Sequence, residues 1–256
     1  MPADPFTLAI AAVVGAAIGS FLNVCVYRLP RDLSLVSPPS ACPECQTPIK
    51  WYDNVPVLGW MLLGGRCRAC RAPIAKRYPL VEAFVGLLWL GAVWTWGATL
   101  LGLTAAVFGT LLTGITLTDA EHYIIPDEFT IGGLVLGLAL SLRGGLPGFE
   151  TALLGAGVGF GSLWLVAWGG EKLFGKEAMG GGDIKMMAMV GAFLGWQGAL
   201  LTVFLGALVG TVLFAPYAWK TKKLVPFGVF LAVGAATTWL VGDRLLAWYA
   251  AYVRGH

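Results

Sequence analysis

Charge is scarce in this chain. Only 12% of its 256 residues are Asp, Glu, Lys or Arg, against about 25% in an average soluble domain, and that shortage argues against an ordinary soluble fold. Histidine is scarcer still, at two residues, and the sequence has no H-E-x-x-H helix, no Ser-His-Asp arrangement and no phosphate-cradling glycine loop. Zincin, serine-hydrolase and P-loop nucleotide chemistry are therefore not written in it. The 36 glycines follow no three-residue period and form no low-complexity run, which excludes collagen and argues against disorder. What is abundant is apolar sequence, at 57% hydrophobic residues and a mean hydropathy of +0.77. Helices packed closely through small residues in lipid account for both the glycine and the hydropathy.

Uncharged stretches recur at lengths able to cross a hydrocarbon core of about 30 Å, which takes about 20 helical residues. Residues 5–27 carry no charge and run too long for the apolar core of a cleavable signal peptide, so they read as a first transmembrane helix. Residues 28–79 carry eight basic residues against three acidic ones, which places that loop in the cytoplasm by the positive-inside rule. Residues 84–118 are again uncharged, and a break near Gly97 divides them into two helices. Spans over residues 128–142 and 151–168, a helical pair over 186–219 with a turn near Gly195 to Gly198, and a final span over 224–242 complete the reading. Lys172, Lys176 and Lys185, and the cluster Lys220, Lys222 and Lys223, then fall on the cytoplasmic side with the loop. The expectation is an all-α polytopic membrane protein of about eight transmembrane helices with both termini outside. It comprises a first helix over residues 1–29, a cytoplasmic loop over 30–79, a transmembrane core over 80–242 and a short external tail over 243–256. Trp248, Tyr249 and Tyr252 of that tail suit an interfacial aromatic belt.

Within the loop, Cys42-Pro-Glu-Cys45 and Cys67-Arg-Ala-Cys70 form two C-x-x-C pairs separated by 21 residues, just beyond the usual zinc spacing of about 15 to 20. Such pairs can supply four thiolates in tetrahedral geometry. A loop with eight prolines has little apolar material for a core, and a closed structural zinc would supply folding energy. A pair of disulfides is the alternative, and a reducing cytosol opposes it. Cys25, between Val24 and Val26 in an apolar helix, reads as a small buried hydrophobe.

Carboxylates at the membrane edge need a reason, because an Asp at the centre of a membrane helix costs about 2.5–3.5 kcal/mol on insertion scales. Two stand out: Asp119, which closes the uncharged stretch over 84–118, and Asp183, which follows Gly180-Gly181-Gly182. The topology puts both on the cytoplasmic side, where they can face each other. Two carboxyls in one partly dehydrated site do not both ionise easily, which splits acid and base roles between them. One can take a proton from water attacking a peptide carbonyl while the other donates to the carbonyl oxygen. The glycines let an extended substrate lie near Asp183, and Pro126 turns the chain after Asp119 away from a continuous helix. Taken singly, each Asp reads as a helix cap or a solvated interfacial charge. Glu121, Asp127 and Glu128 read as a wet loop, with Glu121 close enough to tune Asp119; His122 reads as a solvated loop residue or an aid to proton transfer, and Glu82 as a partner for a loop arginine or a cavity-facing acid.

These residues resemble the bifunctional type IV prepilin peptidases, a family of leader peptidase and N-methyltransferase enzymes with a G-x-G-D aspartyl motif. The resemblance runs along most of the chain. It covers Gly19-Ser-Phe-Leu-Asn23-Val-Cys-Val-Tyr-Arg28-Leu-Pro30, both C-x-x-C pairs, Trp51-Tyr-Asp-Asn-Val-Pro56-Val-Leu and Arg77-Tyr-Pro-Leu-Val-Glu82, then the Asp119 to Asp127 motif, Gly180 to Asp183 and Pro226-Phe-Gly228. It implies that Asp119 and Asp183 are the catalytic aspartates. Glu121 stands where family members often have a second Asp. The resemblance also implies cleavage of the short basic leader of prepilins and pseudopilins on the cytoplasmic face of the bacterial inner membrane, and methylation of the new N-terminus with S-adenosylmethionine. The cysteine loop suits the methylating members; the methyltransferase residues and the oligomeric state are not assigned. The partners expected are prepilin substrates and the bilayer, with no nucleic acid. Competing readings are a carrier or channel with Asp119 and Asp183 in its pathway, and a G-x-G-D protease acting on unrelated transmembrane substrates.

Overall fold

The structure, a computed structural model, describes residues 3–144, 147–176, 179–221 and 226–255, with only the backbone over 214–221. Eight α-helices and no strand occur among the described residues: α1 Pro5–Arg28, α2 Leu58–Leu62, α3 Arg77–Trp96, α4 Leu100–His122, α5 Asp127–Leu142, α6 Phe149–Phe174, α7 Gly181–Thr221 and α8 Phe227–Arg254. Six of them, all but α2 and α5, are long and apolar enough to cross a membrane. At 16 residues, α5 is shorter than the usual span of about 20.

Glycine sets the breaks. α3 stops at Gly97, at φ 74°, and α7 leaves helical geometry at Gly195, at φ 70° and ψ 178°, backbone conformations that favour a residue without Cβ. With α7 divided there, the described residues contain the eight apolar helical segments that the sequence suggests. The ends differ more. Asp243 and Arg244 end the apolar run, but both are exposed and do not stop the helix, so α8 continues to Arg254 through the residues expected to form a tail. α6 likewise continues past Trp168 to Phe174 and ends at Gly175 in the left-handed region. Lys222 and Lys223, together with Leu224 and Val225 at the start of the expected last span, lie outside the described residues.

The chain divides into two compact units, Met1–Thr110 and Leu111–His256. In the first, α1 starts at an Asp4 cap whose Oδ1 accepts from the Phe6 and Thr7 amides at 3.0 Å, with Pro5 opening the helix. α1 packs on α3, running the opposite way: Gly15 lies against Trp89, Gly19 against Glu82, and Asn23 bonds the Tyr78 carbonyl. α3 and α1 thus lie in the same compact unit. In the second unit α6 and α7 meet almost backbone to backbone, since a Cβ at Gly191 would stand 2.0 Å from the Gly155 carbonyl oxygen. Small residues let membrane helices gain van der Waals contact where lipid removes the hydrophobic incentive to associate.

Candidate active site and metal centre

In the first unit, the two C-x-x-C pairs are built alike. The Cys42 amide donates to Thr47 O at 3.0 Å and the Cys67 amide to Ala72 O at 2.8 Å. The residues after each pair, Gln46 and Arg71, both turn through positive φ, at 57° and 63°, and short antiparallel bridges join Ala41 to Pro48 and Arg66 to Pro73. C-x-x-C-x-x-P-I therefore occurs twice, 25 residues apart at Cys42 and Cys67, a local duplication that was legible in the sequence. The knuckles interlock: Cys42 Sγ lies 3.8 Å from Cys70 Sγ and Cys45 Sγ 3.9 Å from Cys67 Sγ. All four sulfurs fall within 4.8 Å of one another.

Zinc–sulfur bonds of about 2.3 Å at tetrahedral angles put ligand sulfurs about 3.8 Å apart, so the four thiols fit a tetrahedral thiolate site such as zinc takes. They are too far apart for disulfides. Their acidities diverge. The Thr47 hydroxyl and amide hold the Cys45 thiol down to about 6, and the Cys70 and Ala69 amides hold Cys67 below the ordinary thiol range. Cys70, although the Ala72 amide favours its thiolate, is pushed up to about 12 by desolvation and by the Cys45, Cys67 and Cys42 sulfurs beside it. Four sulfurs this close become thiolates together only when a cation offsets their charge.

The second unit places Asp119 and Asp183 in one neighbourhood. Tyr123, at φ 56°, ends α4, and Pro126 caps α5, so the segment between them folds back and presents Ile125. Asp119, in the last turn of α4, is buried, and its Oδ2 accepts from the Val229 amide at 3.1 Å. Val229 is in the first turn of α8, where amides have no partner within the helix. A Cβ at Gly228 would stand 2.9 Å from that oxygen and 2.6 Å from Ile125 Cδ1. Asp183 lies in the first turn of α7, its Oδ1 buried and without a hydrogen-bond partner among the described residues. Beside it, a Cβ at Gly182 would meet Ile125 Cβ at 3.0 Å. Ile125 thus touches the glycines beside both acids. Of the three glycines before Asp183, only Gly182 is demanded by packing among the described residues. Gly180 and Gly181 are exposed and leave the surface beside the carboxyl bare. Gly181 also lines a groove with Trp164, Trp168, Glu171, Met179 and Ile184.

Asp127, expected as wet loop, forms an ion pair with Lys185 that joins the starts of α5 and α7. His122 Nε2 lies 3.9 Å from Glu121 Oε2. Cys25 is buried, as expected. Glu82 is buried and accepts from the Val57 amide at 2.7 Å. Gly228 and Val229 were foreshadowed only by the unassigned Pro226-Phe-Gly228 motif. Ile125 and Lys185 have no sequence signal of their own, because their roles arise from three helix ends meeting.

Residues 13–96 match the bacterial peptidase A24 N-terminal domain, and residues 106–215 match the Type IV leader peptidase family. A Stutzerimonas stutzeri protein named prepilin leader peptidase/N-methyltransferase is 38% identical over 95% of this chain and 94% of its own length. The chain belongs to the type IV leader peptidase family. Proteins of the same name from Aeromonas hydrophila and Myxococcus xanthus are similar too, at 37% identity over 91% of this chain and 43% over 78%. The chain spans 90% of the Aeromonas relative's length and 61% of the Myxococcus relative's. No solved structure matches the chain. All four clustered cysteines lie within the match to the N-terminal domain, and both Asp119 and Asp183 within the leader peptidase match.

Proposed function

We propose that this leader peptidase family member is a membrane aspartyl endopeptidase that removes the leader from type IV prepilins and pseudopilins, and that it then methylates the new N-terminal residue with S-adenosylmethionine. The observation that carries the reading is the convergence of Asp119 and Asp183 at the ends of α4 and α7, with α8 holding one carboxyl oxygen of Asp119. In this mechanism one carboxylate takes a proton from water as it attacks the scissile carbonyl. The other carboxyl donates to the carbonyl oxygen and later to the departing amine. Exposed Gly180 and Gly181 leave room for an extended backbone beside Asp183, and the Trp164 and Trp168 side of the groove that Gly181 lines suits an apolar substrate side chain. The basic residues over 28–79 support a cytoplasmic position for the loop and the dyad at the inner membrane.

Cys42, Cys45, Cys67 and Cys70 would hold a structural zinc, which supplies folding energy to a loop poor in apolar core. S-adenosylmethionine supplies an electrophilic methyl group. The test is incubation of purified protein with a synthetic prepilin peptide and S-adenosylmethionine, read by product mass. The expected products are first a peptide shortened by its leader and then the same peptide carrying one methyl group. Intact peptide after incubation would contradict the peptidase reading.

A further inference from the structure

Two polar side chains are buried between α1 and α3 and take no part in the peptidase chemistry. Asn23 is 3% exposed; its Nδ2 donates to Tyr78 O at 3.1 Å, while its Oδ1 is buried and accepts no hydrogen bond among the described residues. One turn along α3 from Tyr78 stands Glu82, 9% exposed, a carboxyl group in a helix apolar enough to cross a membrane. Gly19, one turn before Asn23, brings α1 so close that a Cβ there would lie 2.9 Å from Glu82 Cα. Asn23 and Glu82 therefore face one seam. Unpaired buried acceptors and intramembrane carboxyls are rare and mark function.

The seam is tied to the cysteine cluster. Glu82 Oε2 accepts from the Val57 amide at 2.7 Å, and Val57 holds φ 62°, a conformation that a β-branched residue seldom adopts and that clusters at functional sites. Upstream, Asp53 receives a bidentate ion pair from Arg68 at 2.8 and 2.6 Å, and Arg68 sits between Cys67 and Cys70. Asp53 in turn packs through its carbonyl on Gly59, where a Cβ would stand 2.2 Å away. Contacts thus run from the second knuckle through Asp53 to the Val57 segment and Glu82.

We propose that this seam binds the amine in methyl transfer, with Asn23 Oδ1 and the Glu82 carboxylate receiving the new α-ammonium group of the cleaved pilin. The inference rests on the methyltransferase reading above. Hydrogen-bonding capacity left at Asn23 is acceptor capacity, and Glu82 adds a carboxyl group, which suits an ammonium; Arg77, beside Tyr78, has an interaction elsewhere, while its Nε and Nη2 are buried without a hydrogen bond among the described residues. The incoming ammonium, a stronger donor than a backbone amide, displaces the Val57 N–H and frees that residue from its strained conformation. The ammonium passes one proton to Glu82 and becomes a neutral amine. Its lone pair attacks the methyl carbon of the sulfonium donor; the N–C bond forms as the C–S bond breaks, the C–S electron pair stays on sulfur, and the donor leaves as a thioether.

The test uses purified full-length protein with two peptides, a prepilin peptide bearing its leader and the same peptide already cleaved. Glu82→Gln keeps an acceptor for Val57 but cannot take the proton, so methylation of the cleaved peptide falls about a hundredfold or more while leader cleavage stays within about twofold. Asn23→Leu fills the space without an acceptor and raises KM for the cleaved peptide about tenfold, with KM for S-adenosylmethionine unchanged. General loosening of the α1–α3 contact does not produce that split. Wild-type methylation by either variant, or parallel loss of cleavage and methylation, overturns the assignment. Wild-type protein that cleaves but never methylates would overturn the methyltransferase reading itself.

Discussion

Asp119 depends on a residue with no chemistry of its own. Gly228 leaves room for the Asp119 carboxyl and for Ile125 at once, and a methyl group there would collide with both, at 2.9 and 2.6 Å. Gly228→Ala is therefore expected to displace Asp119 and lower kcat for leader cleavage by about a hundredfold, since misplacement of about 1 Å costs that much. Methylation of a pre-cleaved peptide should be unaffected. Gly181→Ala, where a Cβ meets nothing among the described residues, should leave kcat intact and raise KM if substrate backbone lies there; steady-state kinetics on both variants checks the pair. The acids themselves were legible because a charge beside a long uncharged run is conspicuous. Gly228 was visible only as part of the Pro226-Phe-Gly228 motif and without a role, because its importance comes from α8 returning to the end of α4, which no local pattern encodes.

At the level of elements, helices were easier to read than their ends. Periods without charge located α1, α3, α4 and α5, and glycines at 97 and 195 marked the breaks. The ends of α6 and α8 run past the apolar stretches because exposed charges interrupt hydropathy without interrupting backbone hydrogen bonds. The α6–α7 contact has a direct test. Gly191→Ala puts a methyl group against the Gly155 carbonyl, a backbone atom that cannot move aside, and should destabilise the protein by about 1–3 kcal/mol or more. An unchanged Tm in detergent would contradict that packing. The cysteine knuckles make a second prediction. Metal analysis should find about one zinc per chain. At pH 7 Cys45, near 6, is largely thiolate, whereas Cys70, near 12, must lose a proton to the metal. Zinc binding should therefore release protons and weaken as pH falls, which titration of zinc-free protein with zinc at two pH values measures.

In the proposed scheme the two activities fall in different units. The cysteine cluster and the Asn23–Glu82 seam belong to Met1–Thr110, and Asp119 and Asp183 to Leu111–His256. Chelation should for that reason impair methylation more than cleavage, which parallel assays of both activities would show. Single-cysteine labelling with an impermeant reagent, in a background without the native cysteines, should find residues beside Asp119 and Asp183 on the same cytoplasmic side; external labelling of either would separate the acids. The central claim is that these two acids act as one unit, and the most direct measurement is leader cleavage by Asp119→Asn, Asp183→Asn and the double variant. Asn keeps the shape of Asp but cannot exchange the proton. Each single change should abolish detectable cleavage, with the double no worse than either and all three still methylating a pre-cleaved peptide. Substantial cleavage by Asp183→Asn protein that still methylates would contradict the aspartyl mechanism.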